Sequence, residues 1–80
     1  MTREEIIAKV NSLLAEEFEI EESEIVPEAN IVETFHLDSL SRIDMIALVE
    51  SNFKLHIQAE EIKTMLTFQD LYNYIETHIQ

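Results

Sequence analysis

The residues best equipped for chemistry lie together in Phe35-His36-Leu37-Asp38-Ser39-Leu40-Ser41-Arg42-Ile43-Asp44-Met45-Ile46. Asp38 has the character of a helix N-cap. Its carboxylate can accept a bond from an unpaired backbone N–H one or two residues further on, and its charge suits the positive end of the helix dipole. A serine directly after such a cap falls in the first turn, where its hydroxyl can face water instead of the core. As a nucleophile, that hydroxyl would need His36 within hydrogen-bond reach and an oxyanion hole. The sequence offers neither a third orienting group nor a recognisable pocket, so hydrolase chemistry is disfavoured. What remains is an exposed hydroxyl presented at a rigid helix end. Asp-Ser-Leu is also an ordinary helix start, so the surrounding chain must decide.

Metal chemistry finds little support. His36, His56 and His78 fall on three different predicted elements with no ligand spacing, and the chain has no cysteine. A structural or solvated role is expected for each, and Glu19, Glu21, Glu22 and Glu24 read as a solvated acidic face. There is no glycine, which excludes a Gly-rich phosphate cradle and the EF-hand calcium loop. Helices must then end by other means, such as Asn52- and Asn73-type residues, solvent or packing.

Bulk properties narrow the partners. Eighty residues are expected to make a single domain, 1–80. A chain this short buries only about 60% of its unfolded surface, leaving little room for a pocket of enzyme size. Seventeen acids against five bases give a net charge of −12. That charge repels nucleic acid and anionic membranes and favours basic protein surfaces. The missing cysteine rules out a disulfide framework and is compatible with the cytoplasm, the expected localisation. The longest apolar run, Met45 to Val49, is far short of a membrane span. Met1-Thr2-Arg3-Glu4-Glu5 lacks the apolar core of a signal peptide.

Three main helices, one short helix and no strand are predicted. Thr2 and Glu5 form a capping-box pattern. Ile6, Ile7, Val10, Leu13, Leu14 and Phe18 then recur at helical spacing, predicting a first helix from about Arg3 to Phe18. Residues 19 to 37 contain Pro27 and read as a long packed loop pinned by Ile20, Ile25, Ile31 and Phe35, with room for a helical turn. A second helix from about Ser39 to Asn52 is expected to bury Ile43, Ile46, Val49 and Phe53. Leu40, Met45 and Leu48 widen that face. Leu40 and Met45 are therefore either exposed partner contacts or packed under the loop. Residues 54 to 57 form a connector, and Ala59 to Lys63 one or two helical turns with Ile62 inward. Thr67, with Asp70 three residues on, caps a last helix containing Phe68, Leu71, Tyr72 and Ile75.

With Ser39 at the start of the second helix, the pattern resembles the acyl carrier protein family. The matching residues are Asp38-Ser39-Leu40, Ile43-Asp44, Glu50 and Phe53, Glu60-Glu61-Ile62, Tyr74-Ile75, and Ile31-Val32-Glu33 upstream. They cover nearly the whole chain in order. The resemblance implies an all-α acyl-carrier bundle and a carrier, not a catalyst. It implies that Ser39 takes a 4′-phosphopantetheine arm from coenzyme A through a magnesium-dependent phosphopantetheinyl transferase. The arm's thiol would hold acyl intermediates as thioesters, which makes sense of a chain without cysteine. Asp38 would cap the helix and help position the hydroxyl. Leu40 would contact partners through its apolar surface, while Asp44 and Glu50 would meet basic residues on acyl-transferring, condensing and modifying enzymes. The carrier is expected to be a monomer.

The chain departs from its relatives in three places. His36 stands where they usually carry glycine, so the backbone there either avoids a left-handed conformation or accepts some strain. Arg42 adds a cation to the second helix, where Asp38 to Phe53 holds three acids and one base, against ten acids and two bases in residues 1 to 37. This points to a docking face selective for dedicated partners. Ile62 and Leu71 are bulky where fatty-acid carriers often keep small residues, implying a restricted cleft and short or rigid cargo. An aminoacyl or peptidyl carrier of the same fold, and an acidic helical adaptor with no prosthetic group, are the alternatives.

Overall fold

The computed structural model describes residues 1–79, except for the side chain of Ser39. Its helices are α1 (Arg3–Phe18), α2 (Ile31–Phe35), α3 (Ser39–Phe53), α4 (Ala59–Ile62) and α5 (Phe68–His78), with a 3-10 turn at Glu22–Glu24. The all-α expectation holds, with no strand among the described residues. The long loop is more ordered than expected, since it contains α2 as well as the 3-10 turn.

Local chemistry starts the helices. The Thr2 hydroxyl accepts the Glu5 N–H at 3.2 Å, and the Glu5 carboxylate accepts the Thr2 N–H at 2.8 Å. Thr67 and Asp70 repeat this reciprocal arrangement at α5. Asn30 caps α2 by accepting the Glu33 N–H at 3.0 Å.

Of the expected ways to end a helix, packing is used and the asparagines are not. Asn52 lies inside α3, where its amide donates to the Leu48 carbonyl, and Asn73 lies mid-helix in α5. The terminators are Glu19, His36 and Lys54, at φ values of 55°, 56° and 53°. In each case the next residue is apolar and half-buried, and its N–H reaches back five positions: Ile20 to Ala15, Leu37 to Val32, Leu55 to Glu50. Satisfying those carbonyls and seating Ile20, Leu37 and Leu55 on the core offsets the cost of a left-handed residue bearing a Cβ.

The core joins Ile6, Val10 and Leu14 of α1 to Met45, Ile46, Val49 and Phe53 of α3 and Phe68, Leu71, Tyr72 and Ile75 of α5. Phe35 links the loop to this core. It stacks on Phe18 at 4.6 Å and meets Phe68 edge-on at 5.5 Å. An isolated antiparallel bridge between Asn30 and Thr67 fastens the loop to the start of α5. Ile31 donates to the Leu66 carbonyl, Phe68 to Ala29 and Gln69 to Pro27. Tyr72, almost wholly buried, donates its hydroxyl to the Asn11 side chain, joining α5 to α1.

On α3, Ile46, Val49 and Phe53 are buried as expected, but Ile43 is not. Ile43 is 63% exposed, whereas Met45 is 3% exposed and therefore core. Met45 is thus unavailable as a surface contact for partners. Leu40, Ile43, Asp44, Ala47 and Ser51 share the outer stripe at spacings of three, four and seven.

Candidate functional site

The site grows from the turn between α2 and α3. His36 closes α2 in a left-handed conformation, Leu37 anchors the chain on the core, and Asp38 follows in an extended conformation. The Asp38 carboxylate accepts the Ser41 N–H at 2.8 Å, three residues on instead of one or two. Its carbonyl accepts the Arg42 N–H at 3.0 Å, the first rung of α3. The Ser41 hydrogen bond holds the Asp38 carboxyl below its ordinary range, so it is ionised at neutral pH at the positive helix end.

The residues flanking Ser39 face water. Asp38 is exposed and Leu40 is 74% exposed, making the start of α3 an open, partly apolar surface. The expected exposure of the Ser39 hydroxyl, and any pairing of it with His36, lie outside the described residues. Ile43 continues the exposed apolar stripe one turn beyond Leu40, and sequence reasoning missed it by assigning it to the core. The i, i+3 spacing of the two was the available signal.

Arg42 and Glu50, expected on the docking face, are half-buried and engaged within the chain. Arg42 Nη2 donates to the Ile62 carbonyl at 2.8 Å. Glu50 Oε2 accepts the Ile57 N–H at 2.8 Å and lies 3.2 Å from His56 Nδ1. Asp44 is exposed on the outer stripe, with no ion-pair partner among the described residues. Between α3 and the segment carrying α4 lies a groove of about 680 Å³, lined by Arg42, Ile43, Ile46, Ala47, Glu50, Ile57 and Ile62 among others. Ile62 lines this groove as expected of a cleft residue. Leu71 does not, because it is fully buried in the central core. Among the described residues no group of three or more His, Cys, Asp or Glu could hold a metal ion. Among the described residues no helix is long and apolar enough to cross a membrane.

The family model for the phosphopantetheine attachment site matches residues 8–75, a span that includes Asp38-Ser39-Leu40 and the groove. The chain belongs to the acyl carrier protein family. It is 30% identical over 79 residues to the acyl carrier protein of Thermosynechococcus vestitus, covering 99% of this chain and 98% of that one. It is 33% identical over 78 residues to that of Rubrobacter xylanophilus, covering 98% and 96%. The fold matches the solved acyl carrier protein of Enterococcus faecalis with a TM-score of 0.81 at 28% identity, over 96% of this chain and 98% of that one. Acyl carrier proteins are carriers, not catalysts, which accords with a site built around a capped helix start and a groove.

Proposed function

We propose that this acyl carrier protein serves fatty-acid or polyketide-type biosynthesis in the cytoplasm, with Ser39 as the attachment point for 4′-phosphopantetheine. A separate phosphopantetheinyl transferase supplies the group from coenzyme A. The observation that carries the reading is the open start of α3, where the capping Asp38 and an exposed Leu40 flank Ser39. These residues fit the group. Asp38 fixes the first turn, Leu37 holds that turn on the core, and Leu40 offers the transferase an apolar foothold beside the hydroxyl. When attached, the group supplies the thiol that the chain itself lacks and that holds acyl intermediates as thioesters.

Partner enzymes meet the outer stripe of α3. Leu40 and Ile43 give apolar contact, and Asp44 with the net charge of −12 draws basic docking patches together quickly and releases them readily.

The test is intact mass after incubating the protein with coenzyme A, magnesium and a phosphopantetheinyl transferase. The wild type is expected to gain one arm, and Ser39→Ala none. No gain by the wild type marks the chain as a helical adaptor without a prosthetic group, and a gain by Ser39→Ala moves the attachment elsewhere. Acyl or aminoacyl groups recovered on the arm then distinguish this reading from an aminoacyl or peptidyl carrier.

A further inference from the structure

Helix α4 is poorly held by its own side chains. It has four residues and none is buried, whereas Ile57 before it and Met65 after it are 3% and 7% exposed. Residues 58 to 64 therefore form a strap fixed at both ends, with the groove between it and α3. The groove's walls are mostly apolar, from Ile43, Ile46, Ala47, Ile57 and Ile62, and it is open to solvent. A short acyl group can lie in such a trough. Covering a long one on all sides requires the strap to lift away from α3.

Arg42 opposes that lift. Its Nη2 crosses from α3 to the Ile62 carbonyl at 2.8 Å, sharing that oxygen with the Met65 N–H at 3.2 Å. A charged donor on a helix-end carbonyl is among the stronger hydrogen bonds. Among the described residues no carboxylate pairs with Arg42, so its charge is not diverted from this bond. The other ties are Glu50 on the Ile57 N–H, Tyr74 on the His56 carbonyl, and a long 4.0 Å contact from His78 to Glu61 that joins α4 to α5 and not to α3.

We propose that Arg42 is a specificity-determining residue of the carrier, holding α4 against α3 so that short acyl groups are accommodated and long ones are not enclosed. The proposal rests on the carrier reading above and assigns that carrier a class of cargo.

The experiment uses Arg42→Met, which keeps an apolar stem, and Arg42→Lys, which keeps a donor. In the protein without an arm, Arg42→Met is expected to speed amide exchange at Ile62 and Met65 about tenfold or more, with Val10 and Ile75 unchanged. Arg42→Lys is expected to fall between. Butyryl and dodecanoyl arms are then installed from the matching acyl-coenzyme A. In the wild type, dodecanoyl should move the amide signals of Ile43, Ile46 and Ile62 no further than butyryl does. In Arg42→Met it should move them further, and Arg42→Lys should restore part of the wild-type limit. Equal exchange in all three proteins overturns the proposal, as does a wild-type groove that follows chain length. If no arm attaches to Ser39, the carrier reading falls with it. If arms attach but the groove ignores Arg42, this inference alone falls.

Discussion

A single carboxylate oxygen of Glu50 accepts the Ile57 N–H at 2.8 Å and lies 3.2 Å from His56 Nδ1. The connector after α3 contains no helix or strand to occupy the Ile57 N–H, and Ile57 is buried. Glu50 is therefore the partner that allows this segment to turn under the molecule and begin the wall of the groove.

Glu50→Ala should consequently cost about 1–3 kcal/mol in denaturant unfolding, because it leaves a buried donor without an acceptor. Asp44→Ala, one helical face away, should leave the midpoint almost unchanged. Similar losses in both variants would show that the Ile57 bond is not structural.

The Asp38 cap has a pH signature. The Ser41 N–H lowers the Asp38 pKa, and the Thr2 contacts do the same for Glu5. A carboxyl whose pKa is lower when folded contributes stability that is present above its unfolded-state value and lost as pH falls through the folded-state value. Asp38→Ala should therefore melt below the wild type at neutral pH, and the gap should narrow below about pH 4. Comparing the two proteins at each pH cancels the relief of self-repulsion that acid brings to both. A gap that stays constant with pH would mean that the charged cap contributes nothing.

His36 occupies a left-handed position at φ 56° that favours glycine. His36→Gly should stabilise the chain by up to about 1 kcal/mol, less whatever glycine adds to the freedom of the unfolded chain. That corresponds to a rise of a few degrees in melting temperature for a domain of this size. Glu19→Gly and Lys54→Gly should act in the same direction. A fall in all three would place the strain elsewhere.

Which isoleucine of α3 belongs to the core can be tested directly. Ile46 is 6% exposed and Ile43 is 63% exposed. Ile46→Ala should cost about 2–5 kcal/mol by opening a core cavity. Ile43→Ala should cost no more than about 0.5 kcal/mol.

Caps were legible because they are local. Thr2 with Glu5, Asp38, and Thr67 with Asp70 each act over three residues, within reach of pattern reading. The face of α3 was not, because its apolar residues ring so much of the helix that Ile43 and Met45 could exchange places without breaking a periodicity. Five residues are too few for α2 to show a helical period at all. The bonds that shape the site join residues far apart in sequence, Arg42 to Ile62 and Asn30 to Thr67. No spacing rule reaches across 20 or 37 positions. The left-handed turn at His36 was readable only as a question posed by the missing glycine.

The thin attachment of α4 also governs how the chain is cut by a protease. Lys63 is exposed at the end of the strap, whereas Lys9 and Arg42 sit inside helices, Arg3 opens α1 and pairs with Glu76, and Lys54 is held by its hydrogen-bonded turn. Trypsin should therefore nick first after Lys63, where the backbone can most easily bend into the enzyme's cleft. The smaller piece begins at Thr64 and contains Met65, Phe68, Leu71, Tyr72 and Ile75, all embedded among the side chains of the larger piece. Cleavage should thus go unnoticed until denaturant separates two fragments that had stayed together as one particle.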